Sequence, residues 1–361
     1  VTSPEPAAVE YHPLSVAAVE RLTTDAVAVT FDVPAEIADR FAYLPGQHVA
    51  LRADIDGEDV RRTYSICANA RTGKLRVGIK QVPGGEFSTF ATTRLAPGDI
   101  IGVSPPYGEF TIEPEAGRAR HYAAIAAGSG ITPVLAMVSS VLATESGSRF
   151  TLLFGNRTAG SIMFREELAG LKDRYPARFQ LVHVLSREAQ LIPAFSGRLD
   201  PERINLLLDE IVDSESVAAW FLCGPYELVR DAREALRGRG VAAGTIQDEL
   251  FFSAPTPPAP PPPPVDTSGH AAVTFTLDGR TATVLVDPAG PPILSYALEQ
   301  RRDTPFSCRG GMCTTCKARV SEGRATLDRN FALTADDLEQ GYILTCQAHP
   351  SSETLTITYD V

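Results

Sequence analysis

Apolar and polar positions alternate in short runs over residues 8–113, as in Ala26-Val27-Ala28-Val29-Thr30-Phe31, His48-Val49-Ala50-Leu51 and Leu75-Arg76-Val77-Gly78-Ile79. A period of two sends successive side chains to opposite faces of a strand, and Pro45-Gly46 and Pro97-Gly98 supply turns between runs. Residues 1–114 are therefore expected to form an antiparallel β-barrel or sandwich. From His121 the rhythm changes. Apolar strands at 122–127, 150–154, 179–185 and 217–223 each lead through a turn into a helical pattern, starting near Pro133, Met163, Pro201 and Tyr226. That alternation predicts an α/β domain with a parallel sheet over residues 115–252. Residues 253–269 break every pattern, because Ala254-Pro255-Thr256-Pro257-Pro258-Ala259 runs into five prolines, Pro260 to Pro264. Such a segment adopts extended polyproline II at ~3.1 Å per residue, acting as a spacer or as bait for a proline-recognising partner. Beyond it, strands at 272–277 and 281–286, a helix at 293–301, a cysteine-bearing loop and two late strands describe a small α+β domain, residues 270–361.

The strongest chemistry sits in that last domain. Cys308, Cys313 and Cys316 have the spacing C-x4-C-x2-C, and Cys346 follows after twenty-nine intervening residues. Three thiolates from one tight loop and a fourth from a separate segment is the plant-type pattern for a 2Fe–2S cluster. Gly310 and Gly311 let the loop turn closely around it. A zinc site would more usually show two C-x2-C pairs or a cysteine and histidine mixture, and a disulfide pair suits a secreted chain. All four cysteines are read as cluster ligands.

Charge and composition narrow the partners. A net charge of −11 argues against nucleic acid or an anionic membrane. No apolar run approaches the ~18 residues of a membrane span, Val1 through Pro13 lacks the pattern of a signal peptide, and only Cys67 and Cys223 lie outside the cluster set. A cytoplasmic protein is expected.

A cluster carries one electron at a time, so the rest of the chain should supply or consume electrons. At the first strand-to-helix turn of the α/β region stands Gly128-Ser129-Gly130-Ile131-Thr132-Pro133. Glycines there let backbone N–H groups approach a pyrophosphate at a helix N-terminus. The next strand ends in Gly155-Asn156-Arg157 instead of the usual acidic residue, and Arg157 joins the cofactor-binding candidates. In the third connection, Ser186, Arg187 and then Arg198 offer a hydroxyl and two guanidinium groups suited to an adenosine 2′-phosphate, which favours NADPH over NADH. In the barrel, Arg62-Thr63-Tyr64-Ser65 alternates a cation and an aromatic plane with two hydroxyls, a mixture a flavin needs. Gly84-Gly85-Glu86-Phe87-Ser88 offers a turn for phosphate, so Gly85, Phe87 and Ser88 are also candidates. Nicotinamide gives two electrons as a hydride and a cluster takes one; flavin mediates between them.

Together, Arg62-x-Tyr64-Ser65, the Gly128 to Pro133 turn, Cys223-Gly224-Pro225 and the cysteine loop resemble the ferredoxin–NADP reductase superfamily with a C-terminal ferredoxin domain. The stretches Pro83 to Ser88, Phe154 to Thr158, Ser161 to Leu168 and Phe195 to Arg198 are most similar to the reductase subunits of ring 1,2-phenylacetyl-CoA epoxidases. The resemblance implies FAD in the barrel, with Arg62 on its pyrophosphate, Tyr64 on its ring and Ser65 near N5. It also implies that Gly128 and Thr132 seat the nicotinamide nucleotide, that Cys223 approaches the nicotinamide, and that Phe251 or Phe252 covers the flavin. Alone, Cys223 reads equally as a buried strand residue. The expected activity is NADPH-dependent electron transfer, through FAD and the 2Fe–2S cluster, to a diiron oxygenase component. Alternatives are a reductase for another aromatic-ring oxygenase, Rieske or diiron, and a zinc-binding module without enzymatic activity.

Overall fold

A computed structural model describes residues 10–251, 269–306, 308–312 and 314–360. The proline run, Phe252 and Cys313 lie outside the described residues. Strands β1 (His12–Thr23), β2 (Ala26–Asp32), β3 (His48–Ile55), β4 (Glu58–Ser65), β5 (Leu75–Lys80) and β6 (Ile100–Val103) form a six-stranded sheet in the order β4-β3-β6-β1-β2-β5. Just past β4, Ile66 bridges Val77 of β5 in antiparallel sense, which joins the two edges and closes the barrel. The period of two is visible along β2. Val27, Val29 and Phe31 fill the barrel core, while Ala26 and Ala28 join the hydrophobic cluster shared with the α/β domain.

Gly84-Gly85 introduces a helix, α1 (Glu86–Thr93), and not only the expected turn. Phe87 and Ala91, four apart, share one face and enter the barrel core. Full burial of Phe87 contributes about 1.5–3 kcal/mol.

The second domain contains β7 (His121–Ala127), α2 (Ile131–Thr144), β8 (Arg149–Asn156), α3 (Arg165–Arg174), β9 (Phe179–Leu185), α4 (Pro201–Glu210), β10 (Val217–Gly224), α5 (Tyr226–Gly238) and β11 (Ile246–Leu250). The sheet order is β11-β10-β7-β8-β9, with every pairing parallel. The chain starts in the middle, runs to one edge and returns to the other, so the strand order reverses between β7 and β10. Ligands of open parallel sheets bind at such a crevice. Helix α2 starts two residues before Pro133 and is buried on nearly every side. Asn69 Nδ2 donates to Ser139 O at 2.9 Å, and Ser140 Oγ accepts from Ala70 N at 3.1 Å, fastening the barrel to this helix.

The C-terminal domain holds β12 (Ala271–Leu277), β13 (Arg280–Val286), α6 (Ile293–Gln300), β14 (Lys317–Glu322), β15 (Ala325–Leu327), α7 (Ala335–Glu339), β16 (Tyr342–Leu344), β17 (Ala348–Pro350) and β18 (Thr354–Thr358). Its main sheet runs β13-β12-β18-β14-β16, and β15 pairs with β17. The expectation of two late strands undercounts: five short strands follow the cysteine loop. Three of them are three residues long, too short for a period to register. The described residues fall into two compact units, one of residues 12–60 and 64–251 and the other of residues 10–11, 61–63 and 269 onward. Among the described residues, no helix is long and apolar enough to cross a membrane.

Candidate functional site

Ser65 ends β4, and its Oγ donates to Glu249 Oε2 at 3.2 Å. The other carboxylate oxygen, Oε1, lies 3.2 Å from His48 Nδ1. Glu249 sits on β11 in register with Cys223 of β10. Parallel pairing thus sets a carboxylate beside a thiol at the carboxyl end of the sheet. Cys223 is fully buried, and burial, reinforced by the negative charge of Glu249, pushes its thiol well above the usual range. It is held as a neutral thiol. The two expected catalytic residues, Ser65 and Cys223, therefore meet at Glu249, a residue the sequence reading missed. The available signal was a carboxylate in a short strand just before Leu250-Phe251.

The glycine turn is built for close approach. Gly128 has φ of +56°, a region that favours glycine. A Cβ on Gly130 would lie 2.3 Å from Cys223 O, so the turn and the end of β10 touch backbone to backbone. Thr132 is wholly buried; its hydroxyl donates to Ser129 O at 3.0 Å, and its methyl leaves no room for a side chain at Gly78. Its side chain shapes the turn. At the carboxyl end of β8, Asn156 Nδ2 is buried without a hydrogen-bonding partner among the described residues. An unpaired buried donor in this crevice fits a polar ligand such as a dinucleotide.

In the barrel, Tyr64 and Phe87 pack with ring centroids 5.6 Å apart. Arg62 Nη1 donates to Arg61 O at 2.7 Å. Gly85 caps α1, and the Ser88 hydroxyl is spent within the turn, accepting from Val82 N and donating to Gly85 O, each at 3.1 Å. Ser88 thus stabilises the loop, and the N–H groups at the start of α1 are the groups suited to phosphate.

The arginine candidates lie at the same carboxyl end of the sheet, on its β9 side. Arg187 N donates to Arg157 O at 2.8 Å, and Gly197 N donates to Leu185 O at 2.8 Å, bringing residues 157, 186–187 and 197–198 to adjoining strand ends. Arg157, Arg187 and Arg198 are exposed, and among the described residues their guanidinium groups make no ion pair. Arg203, not foreseen, clamps the loop between them by donating to Pro193 O, Ala194 O and Arg198 O, each at 3.0 Å. Three cations held open at one edge suit a phosphomonoester.

In the C-terminal domain, Cys308 Sγ accepts from Gly310 N at 3.3 Å and Met312 N at 3.4 Å. Gly311 has φ of +76°, and even Arg309 adopts the left-handed region at +50°, so the loop wraps its amides inward. Cys316 and Cys346 are buried in one hydrophobic cluster. A hydrogen bond with Cys316 lowers the Cys346 thiol, which favours the thiolate a metal requires. No three described His, Cys, Asp or Glu side chains converge on a single ion. In a 2Fe–2S cluster the four thiolates divide between two irons, so three need not converge on one ion.

Three family models match consecutive parts of the chain: an oxidoreductase FAD-binding domain at residues 13–112, an oxidoreductase NAD-binding domain at 124–234 and a 2Fe–2S iron–sulfur cluster binding domain at 275–351. The chain is 40% identical over 350 residues to a subunit of the 1,2-phenylacetyl-CoA epoxidase of Escherichia coli (strain K12), covering 97% of this chain and 98% of the relative. It is 33% identical over 353 residues to the ferredoxin reductase component of 3-ketosteroid-9-alpha-monooxygenase of Rhodococcus rhodochrous, covering 96% of each. Among solved structures, phthalate dioxygenase reductase shares the fold with a TM-score of 0.61 at 22% identity, covering 96% of this chain and 98% of that one.

Proposed function

The chain belongs to the family of FAD- and 2Fe–2S-containing reductase components of oxygenases, NAD(P)H-dependent electron carriers, and on that premise we propose that it takes its electrons from NADPH and delivers them to a diiron oxygenase acting on phenylacetyl-CoA. The observation that carries this reading is the 40% identity to the phenylacetyl-CoA epoxidase component along 97% of the chain. FAD, when bound, accepts a hydride and releases single electrons.

The roles of this chain's residues follow. Arg62, Gly85 and the amides before Phe87 and Ser88 hold the flavin pyrophosphate, and Tyr64 offers a plane to the ring. The Ser65 hydroxyl, oriented by Glu249 at 3.2 Å, presents its lone pairs beside the reacting edge. Gly128 and Thr132 form the nicotinamide turn, and the neutral Cys223 thiol packs at its base without competing for the hydride. Ser186 with Arg157, Arg187 and Arg198 takes the 2′-phosphate, and this edge is the reason to favour NADPH. Cys308, Cys313, Cys316 and Cys346 hold the cluster. The aromatic assigned to cover the flavin is Phe251 or Phe252, the latter outside the described residues. Cytoplasmic residence accords with Cys67 and Cys223 as free, buried thiols.

The test is anaerobic reduction by NADPH, followed by a phenylacetyl-CoA oxygenase component, phenylacetyl-CoA and oxygen. Product that depends on this chain supports the assignment. Reduction without product there, but turnover with another monooxygenase, moves the chain to a second reading, which the 33% identity to the 3-ketosteroid monooxygenase component favours.

A further inference from the structure

We propose that His48 is the positioning residue of this site, acting through Glu249 on Ser65. It rests on the reading of Ser65 as the hydroxyl beside the flavin. His48 opens β3, far from β11 in sequence, yet its Nδ1 lies 3.2 Å from Glu249 Oε1 while Ser65 Oγ donates to Oε2. A carboxylate only accepts hydrogen bonds, so both contacts are satisfied when Nδ1 carries a hydrogen. The carboxylate is then gripped from both sides. Its rotation would break one bond or the other, and the hydroxyl hydrogen of Ser65 is fixed toward Glu249.

The surroundings are built around the imidazole. His48 is 9% exposed. Tyr107 packs edge-on against it with centroids 4.3 Å apart, and the two residues exchange backbone hydrogen bonds, His48 N to Tyr107 O at 3.0 Å and Tyr107 N to His48 O at 2.9 Å. Gly108, at φ of +118°, leaves space for the ring: a Cβ there would lie 2.8 Å from His48 Cε1 and 2.9 Å from Nδ1. Nε2 is buried without a partner among the described residues. A bare lone pair is tolerated more readily than a bare N–H, which places the ring hydrogen on Nδ1 and leaves Nε2 as the bare lone pair. The titratable groups around this ring and its carboxylate partner are Tyr107, Glu249 on β11 and, in register beside Glu249, Cys223 on β10, which stays a thiol.

The experiment uses the full chain, selectively 15N-labelled at its six histidines, with long-range proton–nitrogen spectra. His48 is expected as the Nδ1–H tautomer, and that preference should disappear in Glu249→Leu. An Nε2–H tautomer, or an Nδ1–H tautomer indifferent to Glu249→Leu, overturns the proposal. In stopped-flow reduction by NADPH, His48→Phe should lower the limiting rate on the order of tenfold with NADPH affinity within about twofold, since misplaced groups cost rate more than binding. His48→Asn, whose side-chain amide reproduces the Nδ1 donor, should restore most of that rate. Equal slowing by both substitutions, or by neither, counts against positioning. If the unmodified chain is not reduced by NADPH at all, the functional reading fails, while the tautomer result still decides whether His48 holds Glu249.

Discussion

Arginine at position 187 has no function in holding the fold together. It is exposed, its guanidinium forms no ion pair among the described residues, and only its backbone is committed, to Arg157 O. Such a group costs nothing to remove from the free protein and matters only when an anion arrives. A charge-assisted hydrogen bond contributes ~1.5–3 kcal/mol, the lower end applying at an exposed site. Arg187→Ala should therefore raise the KM for NADPH by about tenfold while leaving that for NADH nearly unchanged. Equal effects on both would remove the 2′-phosphate role. This candidate could be picked out of the sequence because a loop arginine beside a serine suggests an anion site without knowledge of the fold. Glu249 and His48 were not, because their significance lies in a contact that spans 201 residues.

Elements were easier to read where a period had room to repeat. Strand β9 matches the expected boundaries, and β7, β8 and β10 extend them by one to three residues. Strand β11 escaped because it is only five residues long and Asp248 interrupts the face that Ile246 and Leu250 pack against the core. Helix α1 escaped because paired glycines read as a turn, although they only introduce it. Helix α2 starts early because Pro133, in its first turn, has no hydrogen bond to lose there, and the N-cap Gly130 sits directly against the end of β10. That contact makes Gly130→Ala informative. The added methyl meets backbone, which cannot swing aside as a side chain would. The substitution should cost about 1–3 kcal/mol of stability, read as a lower Tm, and should weaken NADPH binding through displacement of the turn. Tolerance of alanine with unchanged affinity would show that this turn does not seat the nucleotide.

At the scale of the whole molecule, the order of domains is written in composition: alternating strands, then βα units, then a proline-rich break, then four spaced cysteines. What composition cannot carry is convergence, because no local pattern says which distant side chains meet. The two compact units divide the chemistry, hydride acceptance in the first and the single-electron cluster in the second. Cys346→Ser should accordingly abolish transfer to acceptors served by the cluster while NADPH still bleaches the flavin at its normal rate. Loss of both activities together would mean that the cluster also supports the first unit.

The Ser65 to Glu249 hydrogen bond spans 184 residues, and this sets a timetable for synthesis. A ribosome adding roughly 5–20 residues per second needs on the order of 10–40 s to travel from one partner to the other. Once Val103 has been added, the nascent barrel has every strand of its own sheet, yet its serine has no carboxylate to bind. The site is completed only as the last strand of the first unit leaves the exit tunnel. A stalled or truncated chain ending before Ile246 therefore carries a finished barrel and an unfinished reductase.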